Sequence, residues 1–596
     1  MKRSIDKVEG VYQGTRSKRV KLIVPESINR LWVTASSLYN YMRGDPLCDY
    51  LDRRTASPLL MPKTCHDNIQ SYRMKKGVEF EEDVVKEISD CVHPAMKFDH
   101  SFESENVSKV LEAMRSGVPF LHGAPLVCNK RGWKGYADLL VRNDYLPLIT
   151  ALSSKELDLA EIPASKLRNG FHYVVVDIKY SKLRMSSNGI NLQNGDGQRF
   201  YKAQLYMYNT ILGSLQGFQP HRAYVLGRGW SSVHGGGTTP FEKLGVVDFR
   251  GYDRKLLPVF RKAIKWIRDV STHKDTWSLR PPSCPELYPN LCVDSGPRHN
   301  DTKMRLAKEL KDITMVWNCG VDNRNRAFVK GVTRWDDPLC TAEILGHSGR
   351  RGQIIDSILE INRSRVSRIS IDTLSEECNI RDNVPEVFVD FETTSDMSYD
   401  RENVRDQSSS SIIFMIGVGE KDITGKWSYK SFTATEDSLN GEYDIMRRFY
   451  EYMHDKGMPR AYYWCADQRF WIKAENRQYD RLVAEGDDRY EELSAWSAFD
   501  WVDLNTIFMS ETITIKGCFD FKLKNIVSSM ERHGMISTRF TSEVRDGLTA
   551  MLAAKECYAS QKSPSTSALM KDIIEYNQFD CRALCDIVHY LRTHHT

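Results

Sequence analysis

The stretch that most constrains this chain is Tyr173-Val174-Val175-Val176-Asp177-Ile178-Lys179-Tyr180. Its β-branched run reads as a strand, yet it carries two charges. Side chains two apart on a strand face the same way. Asp177 and Lys179 therefore share one face, and Val174, Val176 and Ile178 share the other. A charged pair on an otherwise apolar strand is costly unless it is solvated, paired or used. Phosphodiester hydrolysis gives it a use. Carboxylate oxygens hold Mg²⁺, the metal polarises a phosphate and activates water, and a nearby lysine stabilises charge or orients that water. A second acid has to come from a neighbouring strand, and Asp138 in the strand-like run Gly135–Val141 is placed to supply it.

Around this strand the chain reads as α/β. Its 596 residues exceed one ordinary domain. We expect a basic lead over 1–30, an α/β domain over 31–298, a helical connector over 299–383 and a second α/β domain over 384–596. In the first domain a helix begins in 77–85. The Gly- and Asn-rich Met185–Gly197 and Gly235–Thr239 are expected as loops, as is the Pro-rich Pro281–Pro297. A helix over Gln198–Leu212 puts Gln204 and Tyr208, four apart, on one face. In the connector, Trp317–Val321 reads as a turn between helices, either structural or touching a DNA backbone through main-chain amides near Gly320. The C-terminal domain reads as three strands (Val387–Glu392, Ile412–Val418 and Ser428–Thr433, with a loop tip at Ser408–Ser411). A helix over Asn440–His454 and a strand over Ala461–Trp464 follow.

The ordered set Asp138, Asp177-Ile178-Lys179 and Gln204-x-x-x-Tyr208, preceded by Glu81 on a helix, resembles the RecB family of PD-(D/E)xK nucleases. Thr34–Tyr41 resembles that family's opening Ser-x-Leu-x-x-Tyr helix. The resemblance covers roughly 32–215. It implies a restriction-endonuclease-like fold with Asp138 and Asp177 as Mg²⁺ or Mn²⁺ ligands and Lys179, Gln204 and Tyr208 as catalytic groups. Glu81 would be a further ligand, with Glu79 and Glu82 as alternatives. Some relatives hold an iron–sulfur cluster. Here Gly44 stands where they have Cys, and Cys284 and Cys292 lack a tight Cys-x-x-Cys spacing. Ordinary thiols are therefore expected at Cys48, Cys284, Cys292 and Cys319, and no cluster.

A second constellation lies downstream. Asp390 and Glu392 share a strand face, and paired acids there can bridge two metals about 3.5–4 Å apart. Tyr576 and Asp580 are four apart in the helical run Ile573–Asp580. Asp-x-Glu followed by Tyr-x-x-x-Asp resembles the DEDD 3′–5′ exonuclease superfamily in its tyrosine variant. That resemblance implies an RNase H-like domain with a two-metal site of Asp390, Glu392, a middle acid and Asp580, and with Tyr576 orienting water. Asp467 is the middle acid expected, with Asp500 or Asp503 as substitutes. Phe519–Ile526, Tyr576–Cys581 and the Trp317–Gly320 region resemble a RecB-like nuclease family that joins both domains, which extends the resemblance over nearly the whole chain.

The expected function is a metal-dependent nuclease on single- or double-stranded DNA, with RNA as an open substrate, working beside replication, recombination or repair proteins. The alternative is a nucleic-acid-binding or assembly module whose sites have decayed. A net charge of +4 is compatible with nucleic acid but too mild to argue for it. Gly419–Lys426 has the wrong spacing for a phosphate-binding loop, which argues against an ATP-driven helicase within this chain. There is no apolar run of bilayer length and no secretion signal. Scattered cysteines fit an intracellular chain, cytoplasmic or nuclear. Lys18–Lys21 reads as a solvated basic tail, a nuclear signal or a phosphate-binding arm. Lys182, Arg184, Arg350 and Arg351 read as solvated surface, with phosphate contact as the alternative.

Overall fold

The computed structural model describes residues 31–54, 65–157, 162–167, 170–195, 197–382, 384–394, 411–422, 424–539, 547–559, 564 and 567–596. The basic lead with Lys18–Lys21 lies outside them, as do Ser408–Ser410. The chain is α/β, with two mixed sheets.

The first sheet is built from β1 (Val33–Thr34), β2 (Met96–Lys97), β3 (Phe120–Cys128), β4 (Trp133–Arg142), β5 (Tyr173–Arg184), β6 (Arg222–Ser232), β7 (Gly235–Gly237) and β8 (Gly245–Asp248). Its main path runs β2-β3-β4-β5-β6-β7, with β1 beside β4 and β8 beside β6. β5 is central, antiparallel to β4 and parallel to β6. The period-two pattern of β5 works as anticipated. Val174, Val176 and Ile178 pack into an apolar cluster with Phe80, Val84 and Ile88 of the Cys65–Cys91 helix. Val175 faces the opposite core, which holds Ala203, Leu205 and Ile211 of the Gln198–Gln216 helix.

That helix starts after Gly197 and ends at Gly217, whose φ of 80° forms a left-handed cap. It buries Lys202 completely. The Lys202 Nζ reaches Asp253 Oδ1 at 2.6 Å, Leu192 O at 2.7 Å and Asn194 Oδ1 at 2.8 Å. The contacts to Leu192 and Asn194 tie that stretch to the helix carrying Gln204 and Tyr208. Lys202→Met would leave Asp253 charged and uncompensated. Loss of one buried partner costs about 3–5 kcal/mol, so chemical denaturation of this variant should show a destabilisation of that size.

Several expectations need correction. The Cys65–Cys91 helix begins well before residue 77, so Gly77 lies in its interior. β5 continues to Arg184, because the strand resumes its pairing with β6 after an irregularity between Lys179 and Lys182. Gly235–Gly237, expected as a loop, pairs with Trp230–Ser232 as a strand. Three glycines offer no side-chain alternation to read, and only the neighbouring backbone fixes them. The Gln198 helix extends to Gln216 rather than Leu212.

The second sheet is built from β9 (Glu386–Thr394), β10 (Ile412–Lys421), β11 (Trp427–Thr433), β12 (Arg460–Tyr463) and β13 (Trp501–Asp503), in the order β11-β10-β9-β12-β13. β10 runs antiparallel to β9 and β11, and β12 runs parallel to β9 and β13. Val387, Val389 and Phe391 enter one core with the Leu439–Asp455 helix. Phe388 enters another, shared with Cys581, Leu584 and Val588 of the C-terminal Ala568–His594 helix. The middle region contributes Ile313, Ile355 and Leu359 to that second core. Trp317 N donates to Phe519 O at 2.8 Å, so the connector packs as part of the C-terminal body. The Gly320 amide, a candidate backbone contact to DNA, is already taken by Asn323 Oδ1 at 2.9 Å as the Val321–Val329 helix begins. Among the described residues, no helix is long and apolar enough to cross a membrane.

Candidate functional sites

At the first site β4 and β5 bring Asp138 and Asp177 to one lysine. Lys179 Nζ lies 2.8 Å from Asp177 Oδ2 and 3.3 Å from Asp138 Oδ2. Asp138 Oδ2 also accepts the Ile178 amide at 2.8 Å, which locks the two strands together at this point. Asp177 is fully buried, and its Oδ1 has no hydrogen-bond partner. Burial, followed by the Asp138 charge, pushes its carboxyl well above the usual range, while Lys179 pulls it back. Burial alone would lower the Lys179 ammonium, yet the two carboxylates overcome it and hold it above its ordinary value.

The Gln198–Gln216 helix lays Tyr208 beside this group. Gln204 Nε2 lies 3.1 Å from the Tyr208 hydroxyl, while Gln204 Oε1 is buried without a partner. Burial, then Asp177 and Asp138, raises the phenol further, so it stays a donor at neutral pH. Gly135 on β4 is what admits the ring, because a Cβ there would stand 2.5 Å from Tyr208 Cε1. Glu81 is held by His122 of β3, with Nε2 and Oε1 3.0 Å apart. No role was assigned to His122 from sequence, since nothing local links a β3 histidine to a helical acid. Of the alternatives to Glu81, Glu79 pairs with Lys76 at 2.9 Å.

At the second site Asp390 and Glu392 project from β9 towards the C-terminal helix. Asp467, first residue of the Asp467–Glu485 helix, accepts the Phe391 amide through Oδ1 at 3.1 Å. This carboxylate therefore sits on the backbone between Asp390 and Glu392. The two substitutes are engaged elsewhere. Asp500 pairs with Arg460 at 2.8 Å, and Asp503 caps the Leu504–Ser510 helix. Asp580 and Tyr576 arrive on the C-terminal helix joined by a hydrogen bond.

The four acids are near enough to repel one another. Burial, then Asp580, Asp467 and Glu392, pushes Asp390 well above the usual carboxylate range. Burial and then Asp580 do the same to Glu392. Burial lifts Asp467 to about 7 and Asp580 to about 6. Asp580 Oδ1 has no hydrogen-bond partner. The cation that offsets this cluster is Lys524, which lowers Asp390, Glu392 and Asp580 and stands 4.3 Å from the Tyr576 ring centroid.

Asn577 was also given no role from sequence. Its Nδ2 donates to Asp390 Oδ2 at 2.8 Å and to Asp390 O at 3.0 Å, and the Tyr429 hydroxyl donates to its Oδ1 at 2.9 Å. Gly417, opposite Asp390 on β10, leaves the room: a Cβ there would fall 1.6 Å from Asn577 Oδ1. Gly417→Ala should expel the Asn577 amide, freeing Asp390 and destabilising the fold by about 1–3 kcal/mol through overpacking. A thermal melt compared with wild type checks this.

Both donor sets suit a hard divalent cation: all-oxygen carboxylates, mutually repelling, each with a buried oxygen left unpaired. Among the described residues, no three His, Cys, Asp or Glu side chains stand around one metal-sized point, and Lys179 rather than a gap lies between Asp138 and Asp177. The cysteines named above lie outside both groups. Cys48 Sγ donates to Asp45 Oδ2 at 3.2 Å, Cys292 Sγ donates to the Cys319 carbonyl at 3.3 Å, and burial raises the Cys319 thiol to about 12. No protein-family model, curated protein or solved structure matches the chain.

Proposed function

We propose that the chain is a metal-dependent nuclease with two separate sites. The observation that carries this reading is the convergence of Asp390, Glu392, Asp467 and Asp580. They come from one strand and two helices spread over nearly two hundred residues, and they meet where burial and mutual repulsion act against them. Carboxyls perturbed by burial and by one another concentrate at functional sites, and a divalent cation would neutralise this cluster. The strand order of the second sheet supports an RNase H-like domain. The Asp138–Asp177–Lys179 group on two central strands, backed by Gln204 and Tyr208, supports a PD-(D/E)xK core.

Bound Mg²⁺ or Mn²⁺ would polarise the scissile phosphate and lower the pKa of water at both places. The candidate ligands are Asp138 and Asp177, with Glu81, at the first site, and Asp390, Glu392, Asp467 and Asp580 at the second. Lys179, released from its carboxylates, would donate to a phosphate oxygen or to the attacking water. The neutral Tyr208 hydroxyl, supported by Gln204, can donate there as well. At the second site Tyr576 would orient the attacking water, with Asp580 fixing its hydroxyl. Asn577 would hold the Asp390 carboxylate in place.

Incubation of purified protein with end-labelled single- and double-stranded DNA, and with RNA, should show cleavage with Mn²⁺ or Mg²⁺ and none with EDTA. Retained DNA binding with no cleavage under any metal would instead favour the decayed binding module.

A further inference from the structure

The outer surface of the Leu257–His273 helix is strongly cationic. Between 254 and 274 the chain has seven Lys or Arg and one acid, Asp269, and all seven cations are exposed. Arg261, Lys265 and Arg268 lie on one stripe, spaced four and then three residues apart. With Arg131 they ring a cavity of about 280 Å³ lined by Trp133 and Tyr206. Arg131 stacks over Trp133 at 5.0 Å, and Arg268 Nη2 donates to the Arg131 carbonyl at 2.6 Å, so the ring is built and not merely a loose set of side chains. Asp269 also lines this cavity, where it pairs with Lys265. The inner face of the same helix packs Phe260, Ala263, Ile264 and Ile267 into the core, which fixes the direction of the cations.

We propose that this helix face, with Arg131, is a sequence-independent docking surface for the phosphate backbone of nucleic acid. This rests on the nuclease reading and names how the substrate is held. Charge complementarity selects the occupant: seven exposed cations against one acid between 254 and 274 suit a polyanion. A membrane surface is disfavoured because the face shows little apolar side chain beyond Val259.

The test is metal-free binding of labelled DNA, with RNA in parallel, between about 50 and 200 mM salt. Each phosphate contact contributes about 0.7 (single strand) to 0.9 (duplex) to the slope of log affinity against log salt. The triple variant Arg261→Gln, Lys265→Gln, Arg268→Gln should flatten that slope by about 2–3. Arg254→Gln, Lys255→Gln, Lys262→Gln, which leaves the Arg131 packing intact, should flatten it as well. A control losing equal charge elsewhere (Lys308→Gln, Lys330→Gln, Arg365→Gln) should not. Equal slopes in all three variants, or binding to phosphatidylserine vesicles without binding to DNA, would overturn the proposal. DNA binding that depends on the helix, without metal-dependent cleavage, would overturn the nuclease reading and leave the docking surface standing. Cleavage with an unaltered slope would do the reverse.

Discussion

With end-trimming proposed for the second site and internal cutting for the first, Asp390→Asn should remove metal-dependent trimming of linear DNA while leaving internal cutting of circular DNA, and Lys179→Ala should do the opposite. Loss of an outer-shell partner of a metal typically costs about 10–100-fold, so loss of a direct carboxylate at Asp390 should exceed that range. In the proposed function Lys179 would donate a proton and stabilise charge, so its removal should cost about 10²–10⁴-fold. The two effects are separable because the side chains belong to different sheets and different cores. Trimming is followed on a 5′-labelled linear strand and cutting on a closed circle, with circular dichroism to check folding. Full activity in both variants on both substrates would refute the site assignment.

The second large effect concerns pH. In the unfolded chain Asp titrates near about 3.9, whereas folded Asp467 and Asp580 titrate at about 7 and about 6. Between about 4 and 7 the folded protein therefore holds more protons than the unfolded chain, and stability falls as pH rises through that window. Without metal the protein should melt at a higher temperature near about pH 5 than near about pH 7.5. A divalent cation held at the proposed site would bind the ionised cluster, so the stabilisation given by Mn²⁺ should be larger at the higher pH. In EDTA at the higher pH, Asp580→Asn should melt above wild type because one buried charge is gone. Melting curves in EDTA and in Mn²⁺ across this range read all three. A melting temperature insensitive to Mn²⁺ at the higher pH would contradict the assignment.

The parts of these sites legible in the sequence are those set by local periodicity. Asp177 and Lys179 share a face because strands alternate, and the same rule pairs Asp390 with Glu392. Tyr576 and Asp580 meet through helical spacing. The parts not legible depend on which elements meet. Asp467 could be named only by its position after a strand; what singles it out from Asp500 and Asp503 is the Phe391 amide. His122, Asn577 and Lys524 were visible as residues but not as partners, because Glu81, Asp390 and Tyr576 reach them from distant elements. Gly417 and Gly135 are the inverse case. Each matters for the side chain it admits, and a glycine's sequence neighbours say nothing of that. The cations between 254 and 274 were countable, yet their meaning came only from their shared exposure and the ring around Trp133.

The central claim is that the two acid groups hold divalent cations, and calorimetric titration of Mn²⁺ tests it without reference to turnover. Wild type should bind at both places. Asp177→Asn should lose binding at one, Asp390→Asn at the other, and the double variant at both. Mn²⁺ binding of equal stoichiometry and affinity in wild type and the double variant would contradict the account.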